Sequence, residues 1–307
     1  MTTATGTGLV RHWCPPFTVD VSGVLGQLSR GRGDPAFRVV GGMHWLANNT
    51  PAGVGTLAIE RTTDGEVVGR AWGPAADWLL EGLPALLGAD DDDSGFVAHH
   101  PVIADGRRRM AGLRLGTAGR VWDILVAAIL EQKVTGFEAH RSWRELGFRF
   151  GTPAPGPVPG RMHTPPTPRT LMALQDWEWH RAGVDGQRRR TLYAAAQVAH
   201  ALERAVTLKG EAGRDLLRKV HGIGVWTAAE VAQRAWGDPD AVSFGDLHLP
   251  HTVGTALVGH RLDDAGMAEV LAPYAPQRQR AVRYIEASGV RVQRFAPRFS
   301  PRDYRRF

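Results

Sequence analysis

Hydrophobic positions along this chain change their spacing near residue 113. Before it, short apolar runs are separated by Gly- and Asp-rich turns. Phe37-Arg38-Val39-Val40, Thr56-Leu57-Ala58-Ile59-Glu60 and Glu66-Val67-Val68-Gly69-Arg70 have strand character, and Asp64-Gly65 is a hairpin-turn signal. Ala75 to Leu87 reads as helix despite Pro84. Beyond residue 113 the spacing is almost wholly helical. Val121, Ile124, Leu125, Ala128 and Ile129 fall at i, i+3, i+4, i+7 and i+8, the stripe of an amphipathic helix. Gly151 to Pro168 carries seven prolines and must be an irregular connection, expected as a long surface loop between helices. The pattern predicts an α+β chain, with a small mixed α/β unit over 1–112 and a helical unit over 113–307.

One segment interrupts the helical pattern in an informative way. Gly213 to Val220 places Leu216, Leu217 and Val220 on one side of a short helix. Gly222 and Gly224 then break it, since glycine enters conformations with positive φ without steric cost. A second, alanine-rich helical pattern runs from Val225 to Trp236. The unit over 213–236 therefore reads as a helical hairpin. Free N–H groups at the second helix start can bind an anion, and glycines let a phosphate approach closely. A Gly-x-Gly of this kind also serves as a plain packing corner between helices. Asp246, in Phe244-Gly245-Asp246, follows Gly224 by 22 positions and would begin a further helix. Helix starts favour negative charge, and Asp is also a common helix cap.

Hairpin and aspartate together resemble the helix-hairpin-helix DNA glycosylases, and most closely the bacterial inducible 3-methyladenine glycosylase II branch. The matching residues are Gly222-Ile223-Gly224-Val225-Trp226-Thr227-Ala228 and Gly245-Asp246. Val121 to Gln132 is similar to that family's helix ending in Ile-Leu-x-Gln, and Pro166-Thr167-Pro168 precedes a helix in the region joining its two lobes. The resemblance covers most of 113–290 and, more weakly, the N-terminal part, with Pro15-Pro16-Phe17 near its start. It implies two helical lobes preceded by a small antiparallel sheet with a helix, and base-excision repair on double-stranded DNA.

The resemblance also assigns roles. Asp246 would stabilise the sugar cation that forms as an N-glycosidic bond breaks, and would orient or deprotonate water. At ~4 Å and an effective dielectric near 20, one such charge pair contributes on the order of 4 kcal/mol. Gln132, Lys133, Gly222, Gly224, Val225 and Thr227 would meet DNA, while Trp226, Glu230 and Gln277 would line the base pocket. Backbone carbonyls of Arg218, Val220 and Ile223 would hold Na+ or K+; no other cofactor is required. Strand-cutting relatives carry lysine where this chain has Trp226, so imine-based lyase chemistry is not expected. A tryptophan can instead pack on a cationic purine. The implied activity is monofunctional excision of damaged, chiefly alkylated, purines.

Three positions depart from the resembled enzymes. Glu230 falls where they have tyrosine, Gln277 where they have another aromatic, and Lys133 where they insert a leucine into the gap left by a flipped base. A shift of one residue in the matching makes Val134 the wedge instead. Two other readings therefore stay open: a DNA-damage binder without catalysis, and a glycosylase for oxidised or deaminated bases.

Composition narrows the field further. Hydrophobic residues at 43% and charged residues at 22% are globular values. A net charge of +6 favours a polyanionic partner, although the near absence of lysine beside many arginines also fits a GC-rich genome. Cys14 is the only cysteine, which excludes an internal disulfide and a four-cysteine iron–sulfur cluster. The start lacks a basic region followed by an apolar core, and no apolar run reaches membrane-spanning length. A monomer in the cytoplasm, associated with the nucleoid, is expected. Asp90 to Asp93 could bind a cation but reads first as a solvated loop. His248 and His251 sit three apart but lack an evident third metal ligand. Arg291, Arg294, Arg298, Arg302, Arg305 and Arg306 are either phosphate contacts or an ordinary solvated terminus.

Overall fold

The computed structural model describes residues 8–290; the C-terminal arginines from Arg291 to Arg306 lie outside the described residues. Five antiparallel strands form one sheet in the order β1-β5-β4-β3-β2: β1 (Leu9–Trp13), β2 (Phe37–Val40), β3 (Met43–Thr50), β4 (Gly53–Arg61) and β5 (Val67–Trp72). The three strands expected from the sequence are β2, β4 and β5. The other two, β1 and β3, were not expected.

The central strand β4 is buried at five consecutive residues because both faces of the sheet are covered. Leu57, Ile59 and Ala71 face the helices Ala76–Glu81 and Leu83–Leu86. The helix expected over 75–87 is thus two pieces meeting at Gly82, with Pro84 in the first turn of the second, where a missing N–H costs nothing. On the other face Trp45 stacks on Trp72, with ring centroids 5.6 Å apart. The proline-rich connection lies there too: a Cβ on Gly156 would run into the Trp72 indole. Ala154 N–H donates to Met162 O at 3.0 Å and His163 N–H to Pro35 O at 2.8 Å. The segment is irregular as expected, but it is a packed cover of the sheet and not a loose surface loop.

Helix Trp122–Leu130 is buried at every residue, so its expected polar face does not exist. It lies among helices Gly136–Phe150, Gly186–Gln197 and Val225–Ala235, with β3 at its side. The Glu203 carboxylate accepts from the Val121 and Trp122 N–H groups at 2.8 and 2.9 Å, capping its start. Burial pushes the Glu203 carboxyl above its ordinary value. Asp123, also buried, accepts from the Asn49 backbone N–H at 2.9 Å and its side-chain amide at 2.8 Å, tying the helix to the sheet.

A second cluster joins Phe96, Ile103 and Leu113 to Val253, Met267, Tyr274, Val282 and Ile285 of the C-terminal helices. The aspartate run lies beside it and is not simply solvated. Asp91 is bound by the fully buried Arg280, and Asp93 pairs with Arg107 at 3.1 Å. Among the described residues no helix is long and apolar enough to cross a membrane.

Candidate active site

The hairpin forms where the sequence placed it, between helices Gly210–Arg218 and Val225–Ala235. Ile223 is buried and anchors the turn, while Val225 beside it is exposed. The first intrahelical bond of the second helix is Ala228 N–H to Gly224 O at 3.0 Å, so the amides of 225–227 stand ahead of it. The two glycines do different work. Gly222 has φ +90°, and a Cβ there would collide with the Thr191 side chain. Gly224 has φ −92° and ψ −173°, ordinary extended backbone, and a Cβ would meet open space. Gly222→Ala is therefore expected to destabilise the fold. Gly224→Ala should melt at the parental temperature and yet bind all duplexes more weakly, damaged or not. Unchanged affinity of Gly224→Ala for duplex, measured by anisotropy, would remove the tip from the DNA path.

Gln132 and Thr227, both expected to meet DNA, are bonded to each other. The Gln132 amide donates to Thr227 Oγ1 at 2.8 Å and to Gly222 O at 2.9 Å, and Thr227 is buried. They brace the hairpin from behind. Lys133, next in the loop after helix Trp122–Leu130, is exposed and holds φ +54°; Val134 beside it is half-buried.

Asp246 sits in a tight turn shaped by Gly245, whose φ is +90° and whose N–H donates to Asp264 at 2.9 Å. Its Oδ1 accepts from His248 N–H at 2.7 Å and Leu249 N–H at 2.8 Å, at the start of helix Leu249–Val258. Its Oδ2 receives the Trp226 indole N–H at 3.4 Å. One carboxylate oxygen thus binds the backbone ahead of the helix, which begins at Leu249 and not at Asp246 itself, and the other binds the Trp226 indole. The half-buried Trp226 spends its polar edge on Asp246.

Beside Asp246 opens a cavity of about 690 Å³. Glu230 lines it as expected, but its carboxylate is committed: Oε2 pairs with Arg234 at 2.8 Å and Oε1 receives the Ser243 hydroxyl. Gln277 does not line it. Helix Arg278–Ala287 begins one residue later, and its cavity face is Gln279, Val282, Arg283 and Glu286, spaced i, i+3, i+4 and i+7. Gln277 instead accepts from Arg280 Nε at 2.6 Å. Sequence reasoning missed Gln279 and Arg283, although their spacing was available once the helix start was fixed. His248 and His251 border the cavity, the latter with Nδ1 3.0 Å from Leu262 O. No cluster of three metal-ligating side chains exists among the described residues.

No family model matches the chain. Over 173 residues, 55% of this chain, it is 29% identical to the probable bifunctional transcriptional activator/DNA repair enzyme AlkA of Mycobacterium tuberculosis. The match takes in 32% of that protein, so the chain spans about a third of the length of the curated relatives it matches. Among solved structures, a 3-methyladenine DNA glycosylase from Archaeoglobus fulgidus superposes with a TM-score of 0.74 at 15% identity, covering 90% of this chain and 96% of that one. The fold is that of the helix-hairpin-helix DNA glycosylases. An 8-oxoguanine glycosylase/lyase from Clostridium acetobutylicum shares it too, with a TM-score of 0.70 at 10% identity over 89% of this chain and 94% of that one. In this chain the antiparallel sheet precedes the helical bundle, and the Trp226 indole links the hairpin to Asp246; Trp226, expected to line the base pocket, is not among the residues that line the cavity.

Proposed function

We propose that this protein is a monofunctional DNA glycosylase that removes damaged purines, alkylated ones among them, from double-stranded DNA. The observation that carries the reading is the Asp246 carboxylate, with one oxygen fixed by two backbone amides and the other turned to Trp226, beside a cavity of about 690 Å³ that has room for a base. The damaged nucleotide would leave the stack and enter this cavity, at a cost of a few kcal/mol that is least for damaged pairs. As the C1′–N bond breaks, its electron pair leaves with the base and C1′ becomes cationic. Asp246 would stabilise that cation and orient the water whose oxygen bonds to C1′, while the water's proton passes to the carboxylate or the departing base. The amides ahead of Ala228 and the open approach at Gly224 would hold a backbone phosphate. Carbonyls of Arg218, Val220 and Ile223 would hold a monovalent cation there. Val220 O already accepts the Ile223 N–H at 3.0 Å and keeps a second lone pair for it.

The test is release of free bases from methylated and from oxidised duplex DNA, identified by mass spectrometry. Base release without strand cleavage is expected. Borohydride should trap no covalent adduct, because position 226 offers an indole in place of an amine. Binding without release would leave a damage-binding protein. A trapped adduct would overturn the monofunctional assignment and direct attention to Lys133 or Lys219.

A further inference from the structure

Two side chains that border the cavity each hold a buried polar atom with no hydrogen-bond partner among the described residues: Gln279 Oε1 and Arg283 Nε. Gln279 is only 4% exposed, so water does not serve it freely. The two side chains stand four residues apart on helix Arg278–Ala287 and share one face, which brings a hydrogen-bond acceptor and a donor side by side. Buried polar groups are nearly always paired, and of the unpaired ones in this protein these two stand together beside a cavity, where a ligand can supply the partners.

Other routes to base recognition are closed on the same wall. Among the described residues no Phe, Tyr or Trp ring lines the cavity, so none of them offers a stacking surface to its occupant. The Glu230 carboxylate, which could have drawn a cationic base, is held by Arg234 and Ser243. Arg283 keeps one terminal nitrogen on Glu286 at 3.2 Å and leaves Nε free. Burial pushes the Arg283 guanidinium below its ordinary value, consistent with a site short of solvent.

We infer that the cavity selects bases by a lactam edge, a ring N–H beside a carbonyl. The Gln279 carboxamide oxygen accepts the ring N–H, and Arg283 Nε–H donates to the carbonyl. This rests on the glycosylase reading and deepens it: what matters is the edge of the base and not its charge. Hypoxanthine (neutral) and 7-methylguanine (cationic in DNA) carry such an edge. Ethenoadenine (neutral) and 3-methyladenine (cationic in DNA) do not.

The four bases form a two-by-two test. Release of each is measured as acceleration over its spontaneous loss. Hypoxanthine and 7-methylguanine should be accelerated more than ethenoadenine and 3-methyladenine. Gln279→Met, close in length but without the amide, should lower hypoxanthine release roughly tenfold more than ethenoadenine release, the scale of one lost hydrogen bond. Thermal melting of Gln279→Met checks that the fold persists. Preference for both cationic bases over both neutral ones would overturn the inference and leave the glycosylase reading standing. No release of any base would sink that reading, and a second measurement keeps the inference testable. Asp246→Asn protein, bound without turnover, should hold a hypoxanthine duplex tighter than an ethenoadenine duplex, and adding Gln279→Met should abolish the difference. Equal binding of the two duplexes by the Asp246→Asn protein overturns the lactam assignment.

Discussion

Asp246→Asn should lower base release by at least roughly a hundredfold, the scale of losing a key electrostatic group in an active site. Fold and duplex affinity should survive. Asparagine retains an Oδ1 acceptor, so the two N–H groups of His248 and Leu249 keep their partner. Satisfying them forces the new amide to the position of Oδ2, where it faces the Trp226 N–H and carries no charge toward the sugar. The variant thus separates the two roles of the residue. Asp246→Ala would remove both, adding a cap loss of about 1 kcal/mol. Single-turnover release on damaged duplex, with melting as the control, decides the matter; parental rates in Asp246→Asn would end the catalytic assignment.

The largest stability effect is expected far from that chemistry. Arg280 is fully buried, donates to Asp91 through two nitrogens, one at 3.1 Å, and gives its Nε to Gln277. Asp91→Ala would strand the guanidinium, and breaking a buried pair from one side costs about 3–5 kcal/mol. A fall in melting temperature on the order of 5–10 °C should follow. Replacing both partners, Asp91→Leu with Arg280→Met, should cost less than Asp91→Ala alone, because no buried charge is left unmatched. If Asp91→Ala melts with the parent, the pair is not what holds the segment 90–93 against the last helix.

What could be read from the sequence was local. The hairpin was legible because two glycines interrupt two helical patterns within a few residues, and Asp246 because it follows at a set distance. Strand β1 was not, since Leu9–Trp13 gains its place only by pairing with β5, nearly sixty residues away. Strand β3 contains Asn48 and Asn49, poor strand formers, whose presence is explained by Arg120 and Asp123 on the helical side. The turn Gly41-Gly42, positive in φ at both residues, was an available hairpin signal for it. In the site, Glu230 does border the cavity, and its partner Arg234 at i+4 was the visible clue that its charge is already matched. Gln277 comes from matching the chain to the resembled enzymes without gaps, and a displacement of two residues in that matching turns a different face of helix Arg278–Ala287 inward.

Gln132 ties together parts of the molecule that the chain keeps ninety residues apart. Its carboxamide fastens both sides of the hairpin tip to the end of helix Trp122–Leu130, and at the other end of that helix Asp123 is fastened to Asn49 of the sheet. The molecule thus has a keel running from the tip, through a helix packed on every side, to a strand. The position of the tip is thereby referred to the sheet through hydrogen bonds at both ends of one buried helix.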